Sequence, residues 1–230
     1  MTDRPRPERG PRFRDRAHAG EVLAAELAAR PPVADRVVLG LPRGGVPVAA
    51  PVAARLAVPL GVLLVRKLGV PGRPELAMGA VALVGDTVEL VRNPEVLRRA
   101  GVSPEAFDAV RAAEERALRD RAGRIASAPV QIADREVVVV DDGLATGATM
   151  TVAVQAARAA GARAVVAAAP VGAREAVAAL ARLADEVVCP YVPERFWAVG
   201  EHFGDFTQTS DAEVIALLTR RTDPGTRVGG

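Results

Sequence analysis

VVVVDDGLATGATM, residues 137–150, decides the fold. Four apolar residues run unbroken into two carboxylates, then a loop of small residues, then a helical pattern. A strand buried on both faces reads as a continuous apolar run rather than an alternating one. A strand of that kind followed directly by a helix is the unit of a parallel sheet with helices packed over it.

Other runs repeat the pattern. RVVLGL (36–41), LGVLLV (60–65), EVVVVD (136–141), RAVVAAA (163–169) and DEVVC (185–189) read as five buried strands. Helical stretches follow the first, third and fourth, and Gly161 stands where a helix C-terminal glycine belongs. The expected fold is α/β: an open parallel sheet of about five strands with helices on both faces. Amphipathic helices over 17–30 and 209–221 flank it.

Residues 67–135 interrupt the rhythm and are too long for a simple crossover. They contain ELAMGAVALVGDTVELV (75–91), a hairpin pattern turning near Gly85 and Asp86, and then two helices. The second helix opens with Ser103 as N-cap and Pro104 at its first position. The expected organisation is one domain over 11–221, with 67–135 as a flexible-loop and helical insertion and 190–208 as a small C-terminal hood. Residues 1–10 read as a disordered basic arm and 222–230 as a disordered tail.

Composition narrows the function. The net charge is +2, too small to argue for a nucleic-acid partner, although six arginines lie in the first 16 residues. The single cysteine, Cys189, excludes an intrachain disulfide and points to a reducing compartment. No apolar run is long enough for a membrane span, and the N-terminus lacks a signal-peptide core, so a cytoplasmic protein is expected. There is no G-x-S-x-G elbow and no Cys/His metal spacing, and neither His18 nor His202 sits in a catalytic motif.

In open parallel sheets, ligands bind beyond the carboxyl ends of the strands. The loop after residue 140 offers backbone N–H groups at a helix N-terminus, with Thr146 and Thr149 adding hydroxyls. That is a phosphate cradle. It is neither a Walker A loop nor a dinucleotide fingerprint, because the required lysine and glycine spacings are absent. Two adjacent acids at a buried strand end are costly without a partner. Asp141 and Asp142 therefore suggest a ligand with hydroxyls, or a magnesium ion to help hold, and a sugar phosphate has both features. Lys67, in LVRKLGVPG (64–72), is the lone lysine among 30 basic residues. A compact charge that must reach into a site is not interchangeable with a wide guanidinium.

The stretch 137–150 closely resembles the ribose-5-phosphate signature of type I phosphoribosyltransferases, which bind 5-phosphoribosyl-1-diphosphate (PRPP). The resemblance extends over about residues 12–220, through FRDRAHAG, LPRGGVPVA and VRKLGVPGRPELAMGAV. It implies that Asp141 and Asp142 contact the ribose hydroxyls, with Gly143 in the same binding loop. It implies that Ala145, Thr146, Gly147, Ala148 and Thr149 hold the 5′-phosphate. Arg43, Gly44 and Gly45 would grip the diphosphate, with unusual backbone geometry at residues 41–44. Arg66 and Lys67 would begin a mobile loop over the leaving group, with Lys67 catalytic beside the two acids. Phe196 and Asp205, in VPERFWAVGEHFGDF (192–206), are the acceptor-side candidates in the hood, although the spacing departs by about one residue from the family's purine enzymes.

The implied reaction displaces diphosphate from C1 of the ribose with a nitrogenous acceptor such as a nucleobase, as in purine or pyrimidine salvage. Mg2+ would be held mainly through the substrate's diphosphate and ribose, with no protein metal ligand assigned. Ala145 stands where oxopurine enzymes of the family carry an aspartate, which disfavours an oxopurine acceptor. A non-catalytic PRPP- or nucleotide-binding regulator is the alternative, and a hydrolase using water as acceptor is a third reading. The expected partners are small-molecule substrates, with no membrane and no nucleic acid, and a homodimer fits the family's habit.

Overall fold

The computed structural model describes residues 12–84, 87–125 and 130–219. The basic arm, the tail and the turn at Gly85–Asp86 lie outside them. In chain order the elements are α1 (Arg16–Ala28), β1 (Arg36–Gly40), α2 (Gly45–Leu56), β2 (Leu60–Val70), β3 (Arg73–Val84) and β4 (Thr87–Arg92). Then come α3 (Pro94–Ala100), α4 (Pro104–Ile125), β5 (Glu136–Val140), α5 (Ala148–Ala159), β6 (Ala164–Ala168), α6 (Arg174–Leu180), β7 (Glu186–Val188) and α7 (Asp211–Thr219). A short 3-10 helix, Val199–His202, precedes α7.

The strands form one seven-stranded sheet in the order β4-β3-β2-β1-β5-β6-β7. β2, β1, β5, β6 and β7 are the five expected parallel strands. The sheet is larger than the five strands expected, because β3 and β4 extend it antiparallel from the β2 edge. The hairpin is thus part of the sheet rather than an appendage. Val84 pairs with Thr87, which closes it. β2 also runs on to Val70 instead of ending at Val65, since pairing with β3 carries it past the last parallel partner, Val62.

Alternating residues of the central strands bury opposite faces. Val137 and Val139 pack toward α5 and α6, with Val37, Leu39 and Val165. Val138 and Val140 pack toward α1 and α2, with Leu23, Leu27, Val48 and Val52. All five residues of β5 are buried, which is why its run does not alternate. Each fully buried valine or leucine contributes about 1.5–3 kcal/mol. A third cluster, including Leu64, Leu68, Val81, Phe107, Leu118 and Val214, joins α4 and α7 to the β2–β3 part of the sheet.

Two details of packing position the site. The expected caps are present: the Ser103 hydroxyl accepts from the N–H of Ala106, and Gly161 closes α5 at φ +83°. Gly20 of α1 lies against α2, where a Cβ would come within 2.5 Å of the Val48 carbonyl oxygen. That close approach seats α1 on α2, and the first residue of α1 is Arg16.

Candidate functional site

β1 and β5 are neighbours from which the chain proceeds in opposite directions, β1 to β2 on one side and β5 to β6 on the other. Such a switch point opens a crevice beyond the strand ends. The loops 41–44 and 141–147 both start there. Leu41 continues the ladder by donating its N–H to the Val140 carbonyl at 2.8 Å, and Asp141 donates to Ala168 at 3.1 Å.

The two loops touch through glycines. A Cβ on Gly44 would stand 1.9 Å from Asp142 Oδ2, and one on Gly45 would stand 2.5 Å from the Val140 carbonyl oxygen and 3.0 Å from Asp141 Cα. Only residues without a side chain permit this contact, which brings the Arg43–Gly44–Gly45 loop against the acid pair. The peptide bond between Pro42 and Arg43 is cis, within the 41–44 segment expected to carry unusual geometry. The Arg43 side chain turns toward α7, its Nε 3.9 Å from Asp211 Oδ1.

After the acids the chain is stapled down. Gly143 is half-buried, and Leu144 exchanges backbone bonds with Val171 and Ala173. Ala145, Thr146 and Thr149 are exposed, while Gly147 is buried and adopts φ +70° as the cap of α5. The Thr146 hydroxyl accepts from the N–H of Ala148 at 3.3 Å. The first turn of a helix leaves N–H groups without helical partners and is electropositive. An exposed, hydroxyl-flanked helix start of this kind suits a phosphate.

Electrostatics divide the acids. Burial, reinforced by the neighbouring Asp142, pushes Asp141 up to about 8. Its Oδ1 accepts from the N–H of Asp142 at 2.9 Å. Asp142 instead meets a cation: Nε of Arg16 donates to its Oδ2 at 2.9 Å. The raised value favours the protonated form of Asp141 at neutral pH, while the Arg16 guanidinium holds the Asp142 carboxyl in place.

Arg66 and Lys67 stand in β2, paired across the hairpin with Val81 and Ala80. Adjacent strand residues point to opposite faces. Arg66 faces α4 and pairs with Glu114, whereas Lys67 is exposed and makes no hydrogen bond or ion pair among the described residues. The two are thus not brought together as a side-by-side cation pair.

In the expected hood, Phe196 is half-buried with its ring 5.5 Å from that of His202, and packs against Phe13, Val171 and Phe203. Its neighbour Trp197 is 80% exposed. Asp205 is exposed and accepts from both the N–H and the hydroxyl of Thr207, at 2.9 and 2.5 Å. Those bonds hold its carboxyl below the usual range. Among the described residues neither makes a hydrogen bond or ion pair with the acid pair. A cavity of about 340 Å3 lies behind this segment, lined by Asp15, Arg16, Pro47, Asp205, Thr207 and Glu213 among others.

Reading the sequence missed Arg16. The signal was a cation at the first position of a helix, where the macrodipole disfavours it and some compensating partner is required. As for magnesium, no group of three or more His, Cys, Asp or Glu side chains among the described residues is arranged to hold a metal. Two acids, one already engaged by Arg16, fit an ion carried mostly by substrate oxygens and water rather than by a protein cage.

Comparison with known proteins identifies relatives of the whole fold. The family described as "Phosphoribosyl transferase domain" matches residues 17–202. A Mycobacterium tuberculosis protein named "Putative phosphoribosyl transferase Rv0571c" is 50% identical over 210 residues, covering 90% of this chain and 46% of its own length. The chain thus spans about half the length of the curated relatives it matches. The crystal structure of TT1426 from Thermus thermophilus is 45% identical, covers 91% of this chain and 98% of that one, and superimposes with a TM-score of 0.81.

Proposed function

This chain belongs to the phosphoribosyl transferase domain family, and from that membership we propose that it transfers the phosphoribosyl group of PRPP to a nitrogenous acceptor and releases diphosphate. The observation that carries this reading is the contact between the two loops at the switch point. A phosphate-ready helix start, a pair of acids and an Arg-Gly-Gly loop meet where a sugar bearing phosphates at both ends would lie.

In this reading residues 145–149 hold the 5′-phosphate. Asp141 and Asp142 contact the ribose hydroxyls, Asp142 through the oxygen that Arg16 does not bind. The acceptor nitrogen forms a bond to C1 as the C1–O bond to diphosphate breaks, and the electron pair leaves with the diphosphate. Positive charge builds on the ring in that transition state, and an Asp142 carboxylate bonded to a ribose hydroxyl would offset part of it. Arg43 and Arg66 receive the negative charge of the leaving group, each exchanging a carboxylate partner for it, and Lys67, exposed in β2, is the third cation proposed for it. Magnesium supplies further charge neutralisation on the diphosphate when bound. The acceptor meets the segment around Phe196, and Ala145 provides no base of the kind an oxopurine would use.

A regulatory, non-catalytic reading has one observation in its favour. Arg66 already pairs with Glu114 and Arg43 lies near Asp211, so two of the three leaving-group cations have acidic neighbours of their own. Titration with PRPP, with and without magnesium, followed by diphosphate release against a panel of nucleobases, separates the two. Magnesium-dependent binding with release for one base establishes the transferase. Binding without release for any base supports the regulator, and absence of binding removes PRPP from both.

A further inference from the structure

The segment FRDRAHAG, residues 13–20, is unused by the reaction above, yet it is built into the site. Phe13 is 1% exposed and bridges to Phe203. The Asp15 carboxylate caps α1 by accepting from the N–H of His18 at 2.8 Å. Arg16 then makes three contacts in three directions. Its Nε donates to Asp142, its Nη1 donates to the carbonyl of Thr207 at 2.8 Å, and its guanidinium lies 3.9 Å above the centre of the Phe206 ring. The side chains of Arg16 and Asp142 are only 12% and 17% exposed. A buried, planar, three-way fit of this kind is specific to a guanidinium, because an ammonium cannot stack and fork at once.

We propose that Arg16 is a positioning residue for the donor sugar. It fixes one oxygen of Asp142 and leaves the other to accept a ribose hydroxyl, so sugar recognition depends on the seating of residues 203–207. The inference rests on the reading of Asp142 as a ribose acceptor. Asp142 faces Asp141 on its own loop and Arg16 from α1, and Gly44 of the loop before α2 lies against it, while the Arg43 side chain turns toward Asp211. Arg16 itself also feels Asp205 and Glu213. Of the two cations, Arg16 is the one bonded to Asp142. Without it, the Asp142 carboxyl loses the bond that fixes its orientation. Phe206 and the Thr207 carbonyl hold Arg16 from the far side, so the 203–207 segment reaches the sugar site through Arg16.

The test compares ribose 5-phosphate with inorganic phosphate by calorimetry, since the phosphate cradle binds both and the acids recognise only the sugar. Arg16→Gln should weaken ribose 5-phosphate about tenfold and leave inorganic phosphate within about twofold. Asp142→Asn should do the same, and the double variant should be no worse than the weaker single, because both changes remove one interaction. Arg16→Lys, which keeps the charge and loses the fork, should lose about threefold for ribose 5-phosphate alone. Equal losses for both ligands, or additive losses in the double variant, would reduce Arg16 to a structural role. If Arg16→Gln does not fold, Arg16→Lys decides, and an unchanged preference for the sugar phosphate overturns the inference. A wild-type protein that binds both ligands alike overturns the sugar reading itself. A wild-type preference that persists in Arg16→Gln overturns only the role of Arg16.

Discussion

Gly44 lies so close to Asp142 that a methyl group on its Cα would overlap the Oδ2 oxygen at 1.9 Å. Its φ of −64° is ordinary for any residue, so the constraint is space and not backbone conformation. Gly44→Ala should therefore fold, with the Asp142 carboxyl pushed off Arg16 and a loss of about 1–3 kcal/mol in unfolding free energy. PRPP affinity should fall by about tenfold or more, since one displaced carboxylate disturbs both loops. Calorimetry and denaturant unfolding of the variant check the two halves. Unchanged PRPP binding would separate the loop from the acid pair functionally.

Asp141 carries a stability cost with a definite sign. Its carboxyl is raised to about 8 in the folded chain against 3.8 for an ordinary aspartate, so between those values the native state holds a proton that the unfolded state has lost. Stability from this group is fully present below about pH 4, falls as pH rises, and is lost by about pH 8. Asp141→Asn removes the cost. The variant should be more stable than wild type, by a margin that grows on the order of 1 kcal/mol per pH unit between pH 5 and 8 and then levels off. Turnover should disappear in the same variant, and in Asp142→Asn. Denaturant unfolding of the unliganded proteins at pH 5, 6.5 and 8 measures the trend, and a margin independent of pH would refute it.

What could be read from the sequence follows the physics of each element. The five parallel strands announced themselves because burial on both faces leaves continuous apolar runs such as Val137–Val140. The far half of β2 did not, since Arg66, Lys67 and Gly69 break the run and only pairing with β3 makes those residues a strand. That pairing also settles which way Arg66 and Lys67 point, a matter of parity that a loop assignment leaves undefined. The acid pair and cradle were legible because their chemistry is contiguous in the chain. Arg16 was not, because its partner is 126 residues away and only the packing of α1 on α2 brings them together.

Lys67 offers a direct check on the solitary lysine. It is exposed on β2 and free of ion pairs among the described residues, so exchange for arginine should leave folding untouched. If it contacts the leaving diphosphate as a compact charge, Lys67→Arg should lower kcat for diphosphate release by about tenfold while inorganic phosphate binds as before. A silent exchange would mean that the lysine is an accident of codon usage. Steady-state kinetics beside phosphate titration distinguishes the two.

Arg121 supplies the last prediction. On α4 the inward stripe runs through Phe107, Glu114, Leu118 and Ile125, and Arg121 falls on it two turns after Glu114. Burial lowers its affinity for a proton, Asp211 opposes that change, and Arg43, Arg66 and Arg124 add to it. The sheet side of α4 thus gathers cations beside one carboxylate from α7 and one from α4 itself. Arg121→Leu should relieve both desolvation and repulsion and raise unfolding stability slightly, by about 0.3 kcal/mol at most, because this part-exposed charge is screened by solvent. The same change should reduce the rise in unfolding midpoint that inorganic diphosphate gives the wild type, because part of the attraction for an anion near Arg43 and Arg66 is gone. Both effects are read in thermal unfolding with and without diphosphate. A destabilised variant with an undiminished diphosphate response would show that Arg121 serves packing alone.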